Sequence, residues 1–517
     1  MPRVSISIPR AAAAFLFSLL QWMAAATDFH VAKTGRDSDD GLRPGTAWRT
    51  LYRVNRHLRD NGLKPGDRVL LRGGDTFEGG LTFSDAGGGT EAAPVVVCGT
   101  GKRPARILSG KGTGILVRET PWVVVSNLVL QGRWDGDGDG IRFDRLRPSG
   151  GPVSGAVVSD CRISGFAWHG VMVDASQREH GYSQVRILRV HAAANRHAGI
   201  QVYGGNPSGR TRRPHADVLI EDCTAFDNPG DPDLVMHHSG SGIFVDGVEG
   251  AQIRRCVASG NGIECRSERG GPVGIWLHAC RGGVIEHCES FGNRSALRDG
   301  GGFDLDGGCE DCVLRHNYSH DNDGPGLMVY SYSGAPYADS GCVMEHNISI
   351  HDGRRGSGYA GLQLGGEEGC RIRDLLVTNN TVIAPEGAVT AFRVLGHGVE
   401  GVVRGNRILA SPHAALLSLS GYGHRIRFEE NQWWRNDGRP VFVVDFQWPV
   451  TELARWRNSA GPETRFEVHA EIFADPGLKP LRGKRPATSR PIRASLPRLE
   501  FERSGPQGSR LSGPGAE

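Results

Sequence analysis

Three short stretches set acidic, imidazole and aromatic side chains at matching offsets: Gly-Ile-Phe-Val-Asp246, Gly-Ile-Trp-Leu-His278 and Gly-Phe-Asp-Leu-Asp306. Apolar residues alternate in each, the period of a β-strand whose successive side chains point to opposite faces. Ile243/Val245, Ile275/Leu277 and Phe303/Leu305 then face a core, and Phe244/Asp246, Trp276/His278 and Asp304/Asp306 share the other face. Asp304 and Asp306 would lie about 7 Å apart at the backbone, and Asp246 and Asp306, two strands apart, about 10 Å. Neighbouring carboxyls raise one another's pKa, so that one can stay protonated beside an ionised partner, as glycoside hydrolysis requires. His278, between Asp246 and Asp306, could be oriented by them as acid or base. Asp246, Asp304, Asp306 and His278 are the candidate catalytic residues.

The same pattern continues along the chain, from Gly-Ile-Arg-Phe-Asp144, Gly-Val-Met-Val-Asp174 and Gly-Ile-Gln-Val-Tyr203 to Gly-Leu-Met-Val-Tyr330 and Gly-Leu-Gln-Leu-Gly365. Stacked strands would align the outward residues in two columns. One runs Arg142, Met172, Gln201, Phe244, Trp276, Asp304, Met328, Gln363; the other Asp144, Asp174, Tyr203, Asp246, His278, Asp306, Tyr330, Gly365. Aromatic faces beside carboxylates suit pyranose rings, which offer both apolar C–H faces and hydroxyls. Phe244, Trp276, Tyr330, Tyr203 and Gln201 are therefore candidate substrate contacts. Arg298 and His320, in the segments preceding these strands, join them, with His197, His238, Asp299, Asp321 and Asp323 along the groove edge on weaker ground, because turns favour Asp for backbone reasons alone.

Asp135-Gly-Asp137-Gly-Asp139-Gly140 copies the first half of a calcium loop, although Leu146 stands where that loop ends in Glu. Asp135, Asp137 and Asp139 are the candidate ligands for Ca2+; the hydrolytic chemistry itself requires no cofactor.

A repeat of about thirty residues positions these strands. Apolar alternations end at Cys161, Cys223, Cys256, Cys288, Asn317, Asn347 and Asn380, with His191 taking the place between Cys161 and Cys223, and Asn406 and Asn431 extending the series. Three strands of about five residues plus their turns fill that length. The Cys and Asn side chains would stack inside the coil, the amides bonding to one another. Cys280 with Cys309 and Cys312 with Cys342 keep offsets that adjacent coils could bridge as disulfides; the other ladder thiols read as small buried apolar groups. Asn317 and Asn347 head glycosylation sequons, but their inward positions argue against modification.

On these features the chain resembles the secreted right-handed parallel β-helix proteins of the pectate-lyase-like superfamily. The resemblance covers most of 28–478. It includes the phrase GGFDLDGGCEDCVLRHNYSHDNDGPGLMVYSYSG and an N-terminal stretch beginning DFHVAKTGRDSDDGLRPGTAWRTLYRVN. It implies an all-β solenoid, and a superfamily that spans lyases, hydrolases, epimerases and tail-spike adhesins leaves the reaction open. Thr50 can N-cap an amphipathic helix through about His57 or Leu58, a capping helix at the N-terminal end of the coil.

The expected organisation is a signal peptide over 1–26, an N-terminal cap and first coils over 27–115, β-helix repeats over 116–478 and a disordered basic Pro/Arg-rich tail over 479–517. Arg3 and Arg10 precede the apolar run that leads to Ala24, Ala25 and Ala26, the pattern of a secretory leader, so the protein is expected to be secreted or periplasmic. The +3 formal charge belongs to the two ends: without them 49 basic residues face 54 acidic ones. An acidic body disfavours nucleic acid, and no internal apolar run is long enough to span a bilayer. The expected partner is a polysaccharide or oligosaccharide bound by a monomer. Hydrolysis is the preferred reaction. The alternatives are a polysaccharide lyase, in which His278 or Tyr330 abstracts a proton and a cation neutralises a uronate, and a non-catalytic carbohydrate-binding or adhesive solenoid.

Overall fold

The computed structural model describes residues 26–84, 87–147, 150–176, 178–205, 212–356, 358–444, 465–469 and 472–473. The leader up to residue 25 and the tail 479–517 lie outside the described residues. Among the described residues, three all-parallel sheets of 17, 13 and 14 strands run side by side along a solenoid, and successive coils add a strand to each. The Gly-led segments form the 13-stranded sheet, with Ala198–Tyr203, Ser241–Asp246, Val273–His278, Gly301–Asp306, Leu327–Ser331 and Leu362–Gly366 at its centre.

Register follows the alternation. Phe244 lies beside Trp276 and Asp246 beside His278; Trp276 lies beside Asp304 and His278 beside Asp306. Asp304 pairs in turn with Met328. The apolar partners Ile243, Val245, Ile275, Leu277, Phe303 and Leu305 are all fully buried in one continuous core. The leading glycine is a requirement of close approach. A Cβ on Gly274 would lie 2.0 Å from Ser290 Oγ and 2.7 Å from Asn293 Nδ2 of the next coil.

The polar ladder is present with one change of register. Asn347, Asn380, Asn406 and Asn431 each offer Oδ1 to the side-chain amide of the preceding asparagine, at 2.9 to 3.0 Å, and Asn317 Oδ1 accepts the backbone amide of Cys288, the ladder residue before it, at 2.9 Å. Between Cys161 and Cys223, however, the position belongs to Val190, because His191 pairs with Arg162 and Thr224 on the following strands. His191 therefore faces outward beside Thr224, to which its Nδ1 lies 2.7 Å away. A second ladder, Asn195, Asn228, Asn261, Asn293 and Asn322 ending on Asp352, runs along another corner of the coil. Its period was hidden in the sequence among turn residues that any loop would favour.

The two expected disulfide pairs are corrected: all eleven cysteines are free. Cys280, Cys309, Cys312 and Cys342 are fully buried, and each thiol points to a backbone carbonyl, as in Cys312 Sγ to Cys280 O at 3.5 Å and Cys342 Sγ to Cys309 O at 3.4 Å. Asn317 and Asn347 are buried in the first ladder, so their sequons are internal.

The helix spans Leu51–Asn61, with Thr50 Oγ1 accepting the Arg53 amide at its start. It reaches past the expected end because Gly62, with φ of 66°, supplies the left-handed stop. Leu51, Val54 and Leu58 enter the main core. Asn55 imitates a strand: its amide donates to Gly80 O at 2.8 Å and its Oδ1 accepts from Thr82 N at 2.9 Å, on the first strand of the 13-stranded sheet. Among the described residues no helix is long and apolar enough to cross a membrane.

Candidate active site

The outward columns align as the repeat requires, but segments between strands cover much of them. Phe244 and Trp276 stack at 3.8 Å with nearly parallel rings, and they are only 2% and 4% exposed. His238 stands edge-on over both, with centroids at 5.3 and 4.9 Å, and Trp276 Nε1 donates to Ser241 Oγ. The expectation that these rings offer an open sugar platform is therefore corrected. They pack with Val273 and the partly buried Tyr203 into a small apolar cluster on the outer side of the sheet. Burial, with the neighbouring imidazoles His278, His237 and His197, takes His238 down to about 4, so it stays neutral over the rings.

Asp246 and His278 form a fixed dyad. Asp246 Oδ1 accepts from His278 Nδ1 at 2.6 Å, and its Oδ2 accepts the amides of Gly204 and Gly205 at 3.0 and 2.7 Å. The opposite ring nitrogen, His278 Nε2, is 2.7 Å from Tyr332 OH, and the two rings stack. Burial opposes the charged imidazole, but the bond to Asp246 and the charges of Asp246, Asp306 and Asp339 outweigh it and raise the His278 pKa. At 1% exposure Asp246 cannot itself touch a substrate; its place is to orient and charge His278.

Asp304 and Asp306 differ in access. Asp304 is 2% exposed, and its Oδ1 has no hydrogen-bond partner. Burial first, then the charges of Asp306, Asp299 and Asp339, push its carboxyl well above the usual range. An acid kept protonated is the physical answer to a buried carboxyl without a cation. Asp306 is partly exposed and accepts the Gly307 amide at 2.8 Å. Burial raises it too, against the pull of His278. Asp299, at the turn before this strand, is also partly exposed and raised by burial, with Gly271 N donating to its Oδ2 at 2.6 Å and Tyr359 OH 2.7 Å from its backbone nitrogen. Asp339, buried and taken to about 6 chiefly by burial, accepts from Gly308 N, Cys309 N and Ser331 Oγ. The result is a cluster of four carboxyls with raised pKa, in which Asp299 and Asp306 reach solvent.

Tyr330 is partly exposed beside this cluster, its hydroxyl raised to about 12 by burial and nearby acids. Gln201 is partly exposed on the rung between Met172 and Phe244. Arg298 is exposed next to Asp299. His320 is a correction: it ends the Tyr318–His320 strand of the 14-stranded sheet, on a different face, where it stacks on Phe291 and is held by Asp321 and Glu289 at 2.9 and 3.2 Å. The calcium loop is corrected too. Asp135 pairs with Arg133 and Lys111, Asp139 turns inward to His169 and Arg142, and Asp137 is exposed by itself on the turn. Among the described residues no three His, Cys, Asp or Glu are grouped to hold a metal ion. Two cavities, of about 520 Å³ beside Trp122 and Arg145 and about 660 Å³ beside the Leu51–Asn61 helix, contain none of the acidic cluster.

Tyr332, Asp339 and Tyr359 were not legible in advance. Tyr332 and Tyr359 sit in irregular segments between strands, and Asp339 opens the two-residue strand Asp339–Ser340, outside the repeat that made the columns readable.

A family model described as a right-handed β-helix region matches residues 156–382. The protein has the right-handed β-helix fold. Among solved structures it is similar to a lacto-N-biosidase of glycoside hydrolase family 136 from Eubacterium ramulus, at 16% identity over 80% of this chain and 70% of that one, with a TM-score of 0.53. It also matches a pectate lyase at 16% identity over 69% and 78% of the two chains, with a TM-score of 0.36. The A-module of a mannuronan C-5 epimerase from Azotobacter vinelandii matches at 15% identity over 70% and 88%, with a TM-score of 0.43. At such identities the likeness speaks to the β-helix fold alone. No curated protein matches the chain in sequence.

Proposed function

We propose that this β-helix protein binds and cleaves a neutral glycan by glycoside hydrolysis at the acidic cluster. The observation that carries the reading is a partly exposed Asp306 beside a buried Asp304 that no cation neutralises, both raised in pKa. In this reading Asp299 and Asp306 are the carboxyls that meet the glycosidic bond, one donating a proton to the leaving oxygen and the other acting as base or nucleophile. Asp304, raised by burial and by the charge of Asp306, stays protonated on the same strand face. The Asp246–His278 pair presents a charged, oriented imidazole through Tyr332 to the substrate's hydroxyls. The fold neighbour named as a lacto-N-biosidase is in keeping with carbohydrate as the substrate class.

The second reading, β-elimination on a uronic-acid polymer, is favoured by the Asp246–His278–Tyr332 chain of hydrogen bonds, an arrangement through which a proton can be taken up. A uronate needs its carboxylate neutralised, whereas this site presents four carboxyls and, at its edge, the exposed Arg298. That charge balance favours a neutral sugar. We further infer secretion or export to the periplasm from the 1–26 leader, and closure of the solenoid's N-terminal end by the Leu51–Asn61 helix.

The test is a panel of polysaccharides read for new reducing ends and for the ultraviolet absorbance of an unsaturated uronate. Reducing ends without absorbance are expected, and Asp306→Asn, folded as the parent, should abolish them. An absorbance rise would replace hydrolysis by elimination; parent-like turnover of the variant would remove Asp306 from the mechanism.

A further inference from the structure

Two indoles are left open on the turns that feed the same sheet. Trp134 and Trp168 are 44% and 43% exposed, whereas Trp48, Trp276 and Trp433 are buried. Neither is loose. Trp134 Nε1 donates to Ala194 O at 2.7 Å, two coils further along. Trp168 lies against the His197 imidazole, centroids 4.8 Å apart and nearly parallel, and the His197 amide donates to Trp168 O at 2.8 Å. His169 stands edge-on to His197 at 5.4 Å and is anchored through Nδ1 to Asp139 Oδ1 at 2.7 Å. Burial, with the neighbouring charge of His169, takes His197 down to about 4, so the support beneath the indole is neutral. Arg196, bonded to Asp231 at 2.7 Å, gives the patch a polar fringe.

A rigid exposed indole, backed on one side and bordered by charged hydrogen-bonding groups, is the form of a sugar-stacking site. Its place in the fold connects it to the acidic cluster. Trp168 immediately precedes the His169–Asp174 strand, and the in-register strands Ala198–Tyr203, Ser241–Asp246 and Val273–His278 separate that strand from Gly301–Asp306. Trp168 thus lies at the level of Gly300, next to Asp299, four rungs or about 19 Å along the solenoid. Such a span suits an oligosaccharide of several residues running along the coil axis.

We propose that Trp168, supported by His197, is a distal subsite that stacks a sugar ring of the neutral glycan cleaved at the Asp299/Asp306 cluster. The proposal rests on that functional reading and extends it to the length of substrate recognised. Long chains engage both places; oligosaccharides too short to span them do not feel Trp168.

The test uses the full chain carrying Asp306→Asn to remove turnover, run in native gels cast separately with galactomannan, xyloglucan, arabinoxylan, mixed-linkage β-glucan and starch. At least one polysaccharide should retard it. Adding Trp168→Ala should weaken that retardation about tenfold, as loss of one aromatic contact predicts, while Trp168→Phe keeps part of it and thermal unfolding stays as in the parent. Retardation unchanged by Trp168→Ala, or no retardation of the parent in any gel, overturns the subsite. Active enzyme separates the two claims. Binding through Trp168 without cleavage of any polymer refutes hydrolysis and leaves the subsite standing. Cleavage of a polymer whose KM ignores Trp168→Ala refutes the subsite and leaves hydrolysis standing.

Discussion

Asp352 ends the second asparagine ladder, and replacing it by Asn should make the fold insensitive to a pH change that now weakens it. Its Oδ1 accepts Asn322 N and Nδ2 at 3.0 and 2.8 Å, and its Oδ2 accepts Ser349 Oγ at 2.7 Å. Burial lifts this carboxyl from 3.8 to about 6, against the pull of those hydrogen bonds. A raised acid binds its proton more tightly in the folded state. Its contribution is therefore fully present below about pH 4 and is lost as pH rises through about 6. A shift of about 2 units corresponds to about 3 kcal/mol lost by neutral pH. An asparagine fits without rearrangement, because the coils below already show the arrangement: Asn293 Nδ2 donates to Ser290 Oγ at 3.0 Å while Ser290 Oγ donates to Gly302 O at 2.8 Å. Ser349 likewise already reaches Gly361 O at 3.0 Å. Asp352→Asn should match the parent near pH 4 and exceed it by up to about 3 kcal/mol near pH 7. With about 2 cal/mol/K of unfolding entropy per residue over ~400 ordered residues, that is a rise of about 3 to 4 °C in Tm. Circular-dichroism melts at several pH values between these limits provide the measurement. A Tm difference that is the same at both ends, or a variant less stable at neutral pH, refutes the reasoning that an ionised Asp352 strains the ladder.

Asp304→Asn replaces an acid that burial and the charge of Asp306 keep protonated, so the pH–rate profile on the glycan found by the panel should hold its position with the fold retained; a profile displaced to the acid side would show that Asp304 carries charge while Asp306 titrates. The thiol count is also open to test. Nine of the eleven cysteines are buried and two are partly exposed, so a thiol reagent should react slowly with all but Cys98 and Cys370 in native protein and with all eleven after denaturation without reductant. Fewer than eleven would restore a disulfide.

The coil and its register could be read from the chain because a β-helix is nearly one-dimensional: each strand repeats the same alternation against the same neighbours. The placement of Asp246 beside His278 and of His278 beside Asp306 followed from that period alone, as did the inward positions of Ile275 and Leu277. The error at His191 arose because one residue more or less in a turn leaves the apolar pattern intact while it shifts a side chain to the opposite face.

What the repeat could not decide was which outward side chains meet solvent. The segments that carry His238, Asp299, Tyr332 and Tyr359 have no period, and they fold back over the sheet. They close the Phe244/Trp276 stack, leave Asp306 partly open, and bring Tyr332 to His278 across 54 residues of chain. Proton affinity is likewise a property of the assembled site. Asp304 and Asp306 are the same residue type on one strand, yet the depth of each and its distance from His278 make one a buried acid without a partner and the other an accessible group. Local alternation specified the lattice on which the groups stand, whereas burial, charge and access, which determine what the groups can do, exist only once distant segments have packed over it.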